Sequence, residues 1–182
     1  PWMNQRAKGV EVRIARHRGG RIDPADLGAL MDARTRVLAV SHVAWVNGLR
    51  HDLGALAELC RKVGAFLCVD GIQSVGAIPV DLSDGAVDFF SAGGHKWLFA
   101  PTGTGFFYCR KDRVDAFRPP VVGWQSDDRP SGSQAYAFRE EFSPGPTARR
   151  FNHGNSNVAG LHGLHASLAL LGRVGWEQVF AR

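Results

Sequence analysis

Lys96 lies in Ser91-Ala92-Gly93-Gly94-His95-Lys96-Trp97-Leu98-Phe99, among small and apolar neighbours where a lysine is a poor structural choice. The chain has four lysines against eighteen arginines, so a lysine here is not explained by a generally lysine-rich surface. An amine desolvated in such a segment is disfavoured as the ammonium form and keeps a usable lone pair. Lysines of that kind form Schiff bases with carbonyl compounds. The other reading is a lysine that lays its methylenes on apolar surface and lifts its head into water at a turn.

Asp70 favours the chemical reading. Ala65-Phe66-Leu67-Cys68-Val69-Asp70-Gly71 is a short apolar run that ends in a carboxylate and a glycine. The pattern predicts a buried parallel strand whose last residue emerges at the carboxyl edge of a sheet, where open α/β sheets bind ligands. A carboxylate there can hold a proton on a pyridine nitrogen and make that ring an electron sink; it can equally cap the turn that follows. Gln73, three residues on, is within reach of the same ligand. A second apolar run, Val87-Asp88-Phe89-Phe90-Ser91, leads directly to Lys96. Beside such a lysine, His95 reads as an anion ligand or proton shuttle, with a polar spacer as the alternative, and Trp97 reads as packing.

The elements that must position these groups alternate as an α/β layer does. Strands are predicted at Val10–Ile14, Arg36–Ser41, Ala65–Asp70, Val87–Ser91 and Gly105–Cys109. A short helix is predicted from Pro24 to Asp32 with Asp23 as N-cap and Pro24 at its first position. A second runs from Asp52 to Val63, with an apolar stripe at Leu53, Leu56, Ala57, Leu59 and Cys60, and ends at Gly64. Asp112 to Phe117 reads as one more helical turn. Residues 119–146, rich in Pro, Gly, Ser and charge with Trp124 and Tyr136 among them, are too long for an ordinary connection and read as a functional or interface loop. Asn157 to Phe180 reads as one long helix, weakened by Gly160, Gly163 and Gly172.

The ordered series of motifs resembles the large domain of class V aminotransferases and cysteine desulfurases, which are fold-type I pyridoxal phosphate enzymes. It consists of Ser41-His42-Val43, Gly48 with Asp52-Leu53, Val69-Asp70-Gly71-Ile72-Gln73-Ser74-Val75-Gly76, Pro79-Val80-Asp81, Val87-Asp88-Phe89, Gly94-His95-Lys96 and Gly103-Thr104-Gly105. Arg150-Phe151, Gly154, Asn157 and the apolar helix that follows resemble the next block. The resemblance implies an α/β fold with a mostly parallel sheet flanked by helices. It implies that residues 1–182 are part of the domain that binds pyridoxal 5'-phosphate, with an N-terminal segment and a C-terminal small domain outside this chain. The persulfide cysteine and the arginine for the substrate carboxylate would lie in the latter.

Residue by residue, the resemblance implies that Lys96 forms the internal aldimine and moves the Cα proton of an amino-acid substrate. Asp70 would partner the pyridinium, Gln73 would contact the ring's phenolate oxygen or the aldimine, and His95 would bind the phosphate. Asn155 stands in place of a threonine that reaches the phosphate of the neighbouring subunit in a homodimer. Gly93 replaces a phosphate-binding serine, so backbone amides, Ser91 or a water would substitute for its hydroxyl. Trp45 stands where desulfurases place an asparagine beside the phenolate oxygen. With the Gly-Gly-His-Lys-Trp run, it draws the chain toward the aminotransferase and epimerase-like branches. The implied activity is that of a cytoplasmic transferase or lyase, with a desulfurase, selenocysteine lyase or epimerase branch as alternatives. A non-catalytic relic or interaction module that keeps the sheet but lacks a competent site is the alternative of another class.

Composition agrees with that expectation. At 182 residues and 45% hydrophobic content the chain can bury one sizeable core. A net charge of +5 comes from scattered arginines, without the basic stripe interleaved with aromatics that a nucleic-acid binder shows. It reads as a solvated basic face that attracts anionic ligands, with no nucleic acid as partner. The seven histidines form no metal-ligand motif; His162 and His165, three apart on a predicted helix, lack a third ligand. Cys60, Cys68 and Cys109 suggest no disulfide framework, and Cys60 is expected to be accessible. No membrane-spanning or secretory segment is seen, and no membrane partner is expected.

Overall fold

The computed structural model describes residues 1–128 and 140–181. Tyr136 and the middle of the predicted 119–146 loop lie outside the described residues. Four strands form one sheet in the order β1 (Val37–Ser41), β2 (Phe66–Asp70), β3 (Phe89–Gly93), β4 (Gly105–Cys109). The first three are parallel and β4 runs antiparallel to β3. Val40 pairs with Val69 and Ser41 with Asp70, while Asp70 pairs with Ser91. The carboxyl ends of all three parallel strands therefore line up on one edge.

Helix α1 (Pro24–Gly28) is shorter than expected but begins at Asp23, where a capping box with Asp26 closes the first turn. Helix α2 (Leu53–Val63) starts at Asp52, whose side chain accepts the Ala55 N–H, and stops at Gly64 in the left-handed region. Its apolar stripe puts Leu56, Ala57 and Cys60 against Leu38, Leu67, Val69 and Phe90 in the core. Cys60 is thus buried at 3% exposure, contrary to the expected accessibility. The long C-terminal helix is two: α3 (Val158–Val174) and α4 (Trp176–Phe180), broken where Gly175 takes φ +94°. No helix among the described residues is long and apolar enough to cross a membrane.

Three further differences are local. Val10–Ile14 joins no strand; the Val12 carbonyl accepts from the Arg6 guanidinium, and the Arg13 side chain bonds Glu11, Asp32 and the Leu30 carbonyl. Strand β3 starts two residues later than expected, although Asp88 just before it is bonded on both sides, its N–H donating to the Leu67 carbonyl and its carbonyl accepting the Arg110 N–H. One carboxylate oxygen of Asp88 accepts the Leu67 N–H, and the other meets Arg113 at 2.8 Å and Arg110 at 3.0 Å. Residues 111–116 form a 3-10 helix, which carries Arg113 to that carboxylate.

Candidate active site

Asp70 ends β2 on the same sheet face as Ser41 and Ser91, as alternation along the paired strands requires. Its Oδ1 accepts the Ile72 N–H at 2.9 Å, and Oδ2 makes no hydrogen bond to the described residues. Turn capping and ligand binding are therefore compatible, one oxygen for each. The side chain faces a cleft of about 540 Å³. Asp70, Ile72, Ser91, Ala92 and Gly93 form one wall, Gly105, Phe106 and Phe107 a second, and Asn152 a third. The volume lies in the range of small-molecule sites.

Lys96 sits three residues beyond Gly93, on the turn that leaves β3. That turn is tightly closed: Gly94 N–H donates to Thr104, Ala100 N–H to the Gly94 carbonyl, and Phe99 N–H to the Lys96 carbonyl. Leu98 is buried, and its carbonyl accepts the Ser167 hydroxyl at 2.5 Å, anchoring the turn to α3. Lys96 itself is exposed and makes no ion pair with the described residues, so this chain alone does not supply the expected desolvation.

Gln73 is held by the same turn. The Trp97 indole N–H donates to Gln73 Oε1 at 3.1 Å, so Trp97 is more than packing. Gly76 (φ +89°) permits the approach, since a Cβ there would stand 2.5 Å from the Trp97 carbonyl oxygen. His95 is exposed and folds over Gly93: a Cβ at 93 would lie 3.0 Å from the imidazole Nδ1 and Cε1 and 3.2 Å from Ile72. The space of the expected serine side chain is thus partly taken by the imidazole.

Of the residues singled out from sequence, Asp70 lines the cleft; His95 approaches the lining residue Gly93, Gln73 is bonded to Trp97, and Lys96 lies on the turn between those two, but none of these three lines it; Asn155 lies exposed on the segment before α3 and does not line it either. Trp45 is 79% exposed at the tip of a hairpin closed by the Val43–Arg50 bridge and docked by Asn47 on the Gly20 carbonyl. Sequence reasoning missed Ile72, Phe107 and Asn152. Asn152 is fixed through its carbonyl, which accepts the hydroxyl of fully buried Ser126 at 2.5 Å. Arg150, also buried, braces this wall by donating to the carbonyls of Gly145 and Val114 and to Asp115. His42, following β1, donates its backbone N–H to the Asp70 carbonyl. Burial first, then Arg50 and His51, lowers its imidazole pKa, and its Nδ1 is buried with no hydrogen-bond partner among the described residues. No cluster of three or more metal-ligating side chains occurs among the described residues.

A carboxylate at a strand end that lines a cleft, and a lysine on the exit loop of the strand paired with it, is a specific set. The aminotransferase class-V family profile matches residues 1–182. The chain belongs to the aminotransferase class-V family. It is 31% identical to a probable cysteine desulfurase of Methanothermobacter thermautotrophicus over 180 residues, 98% of this chain and 43% of that protein. It is 37% identical to an isopenicillin N epimerase of Streptomyces clavuligerus over 149 residues, 80% of this chain and 37% of the epimerase. Among solved structures, a variant of the cystine C-S lyase C-DES with glycine covalently linked to its pyridoxal phosphate superposes with a TM-score of 0.75 at 29% identity. That match covers 87% of this chain and 41% of the lyase. This class-V chain thus spans less than half the length of these relatives.

Proposed function

We propose that residues 1–182 form part of the cofactor-binding large domain of a pyridoxal phosphate-dependent enzyme that acts on an amino acid as a transferase or lyase. The observation that carries this reading is the pairing of Asp70 with Ser91 across β2 and β3, because it sets the Asp70 carboxylate beside the strand that delivers Lys96. The residues present fit the cofactor. The cleft has the volume and an acceptor for a ring N–H, and Gly93 keeps its wall free of a side chain except for the movable His95 ring.

Pyridoxal 5'-phosphate, when bound, supplies an aldehyde and a pyridinium electron sink. Asp70 would hold the proton on the ring nitrogen through the oxygen not used by Ile72. Lys96 Nζ would hold the cofactor through its aldehyde and would take or return the Cα proton of the substrate. Gln73, with its carbonyl oxygen engaged by Trp97, has its amide N–H groups left to donate to the ring's phenolate oxygen. His95 donates to the phosphate, and Ser91 can take the place of a hydroxyl at Gly93. Asn155, exposed and outside the cleft, is suited to reach the phosphate of a second subunit, which makes the functional unit a homodimer. Cytoplasmic residence goes with that assignment.

An epimerase branch is the second reading. Trp45 favours it, standing clear of the cleft where a desulfurase would place an asparagine against the ring. The full-length protein should take up pyridoxal 5'-phosphate with a visible absorption band that Lys96→Ala abolishes while the far-ultraviolet circular dichroism is unchanged. A fully folded protein with no such band would select the non-catalytic alternative.

A further inference from the structure

His42 is 3% exposed, and its Nδ1 is buried without a hydrogen-bond partner among the described residues. An unsatisfied buried nitrogen is costly, and a phenylalanine or leucine would fill the space without that cost. The backbone N–H of His42 donates to the Asp70 carbonyl at 2.8 Å, one residue beyond the Ser41–Asp70 pair that ends the β1–β2 ladder. On the other side of the same peptide unit, the Gly71 N–H donates to the Ser91 carbonyl at 2.8 Å. The peptide that follows Asp70 is therefore clamped between two neighbouring strand ends, and His42 is one jaw of the clamp.

The hairpin after β1 sets the charge around this imidazole. The His42 carbonyl accepts the His51 N–H at 2.9 Å, and the Val43–Arg50 bridge brings Arg50 back alongside. Burial first, then Arg50, then His51 favour the neutral ring. The nearby carboxylates, Asp70 at the end of β2 and Asp52 at the N-cap of α2, accept the Ile72 and Ala55 N–H groups, and neither offsets those cations at His42. A proton added here would make a buried cation that faces Arg50 and has no acceptor for its Nδ1–H. We propose that His42 is a positioning residue for Asp70: its neutral ring packs at the end of β1 and keeps the His42–Asp70 bond closed, whereas the ring that takes a proton leaves that packing and opens the bond. The inference rests on the reading of Asp70 as partner of the cofactor's ring nitrogen, and it gives that grip an acid limit. A released ring takes its proton near the ordinary 6.5, and the packed ring only at lower pH. Protons therefore favour the open form, by up to about tenfold for each pH unit between the two values.

Two readouts on the full-length protein test this. Amide hydrogen exchange without cofactor, corrected for the intrinsic effect of pH, reads the bond itself. Protection of the His42 N–H should fall by about three- to tenfold between pH 6.5 and pH 5, while that of Val69 in the middle of β2 holds. The dissociation constant for pyridoxal 5'-phosphate, read from its visible band, should rise over the same interval more steeply in the wild type than in His42→Asn. That variant keeps the backbone N–H but does not titrate, and the titrations of His95 and Lys96 are common to both proteins. Arg50→Gln removes a cation, brings the packed ring back toward its ordinary value and should shrink the acid loss in both readouts; it decides the matter with the exchange profile should His42→Asn not fold. Unchanged protection at His42 down to pH 5, an acid limb the same in wild type and His42→Asn, or one that Arg50→Gln leaves untouched would overturn the proposal. So would loss of protection at Val69 in step with His42, which would make the event global unfolding. Protein that takes up no cofactor at any pH would remove the reading of Asp70, while the exchange profile would still decide whether acid opens the bond.

Discussion

The Trp97 indole donates to the Gln73 side-chain oxygen, bridging the loop after β2 to the turn that carries Lys96. Two strand-exit loops separated by 24 positions in the chain are thereby held in one register, and the close pass of Gly76 under the Trp97 carbonyl reinforces it. Trp97→Phe removes the donor and keeps most of the ring. A double-mutant cycle of Trp97→Phe with Gln73→Ala should give a coupling of about 0.5–1.5 kcal/mol in unfolding free energy. Strict additivity of the two changes would show that the loops are not joined.

Asp70 is assigned an electrostatic task as well as a turn. Asp70→Asn keeps an acceptor for the Ile72 N–H but cannot stabilise a protonated ring nitrogen. Turnover of the full-length enzyme should fall by about 100-fold or more, with the cofactor still attached and the melting midpoint within a few degrees of the wild type. Unchanged steady-state kinetics would contradict the assignment.

Much of this arrangement was legible in the sequence, and the parts that were not share a cause. Helix α2 and strand β2 carry their own signals: Asp52 and Gly64 mark the ends of one, and an apolar run closed by a carboxylate marks the other. Asp70 and Lys96 stood out because their types conflict with their surroundings. The Val10–Ile14 segment alternates like a strand in sequence, but nothing in its own sequence states that no neighbour pairs with it. The break at Gly175 depends on a positive φ that a glycine permits but does not require. Asn152 at the cleft wall and the Trp97–Gln73 bond arise from approaches between distant segments, and no local pattern encodes them. The exposure of Lys96 belongs here too, since desolvation of the amine depends on what is placed over the turn.

Asp88 lies beneath the site rather than in it. Its carboxylate is 6% exposed and is engaged by Arg110, Arg113 and the Leu67 N–H together. Asp88→Ala leaves two guanidinium groups without their shared partner and should cost about 3–5 kcal/mol, read from urea unfolding. A loss under about 1 kcal/mol would mean that the arginines are satisfied by solvent.

Burial, aided by the charge of Asp88, pushes the Cys60 thiol from its ordinary 9.0 to about 11. Between those values the unfolded chain has lost the proton that the folded chain keeps, so its proton count is the lower one and stability falls as pH rises through this window. Cys60→Ala should flatten that part of the stability–pH curve. In the native protein the thiol should resist alkylation at pH 8 and react promptly once urea unfolds the chain; prompt reaction without urea would place Cys60 at the surface.

The most direct measurement is borohydride reduction of the full-length protein after incubation with pyridoxal 5'-phosphate, followed by peptide mapping. One phosphopyridoxyl group per chain on Lys96, with Lys8, Lys62 and Lys111 unmodified, is the result expected of an amine and a carboxylate meeting on one ring. A label spread over the other lysines, or none on Lys96 in folded protein, would contradict it.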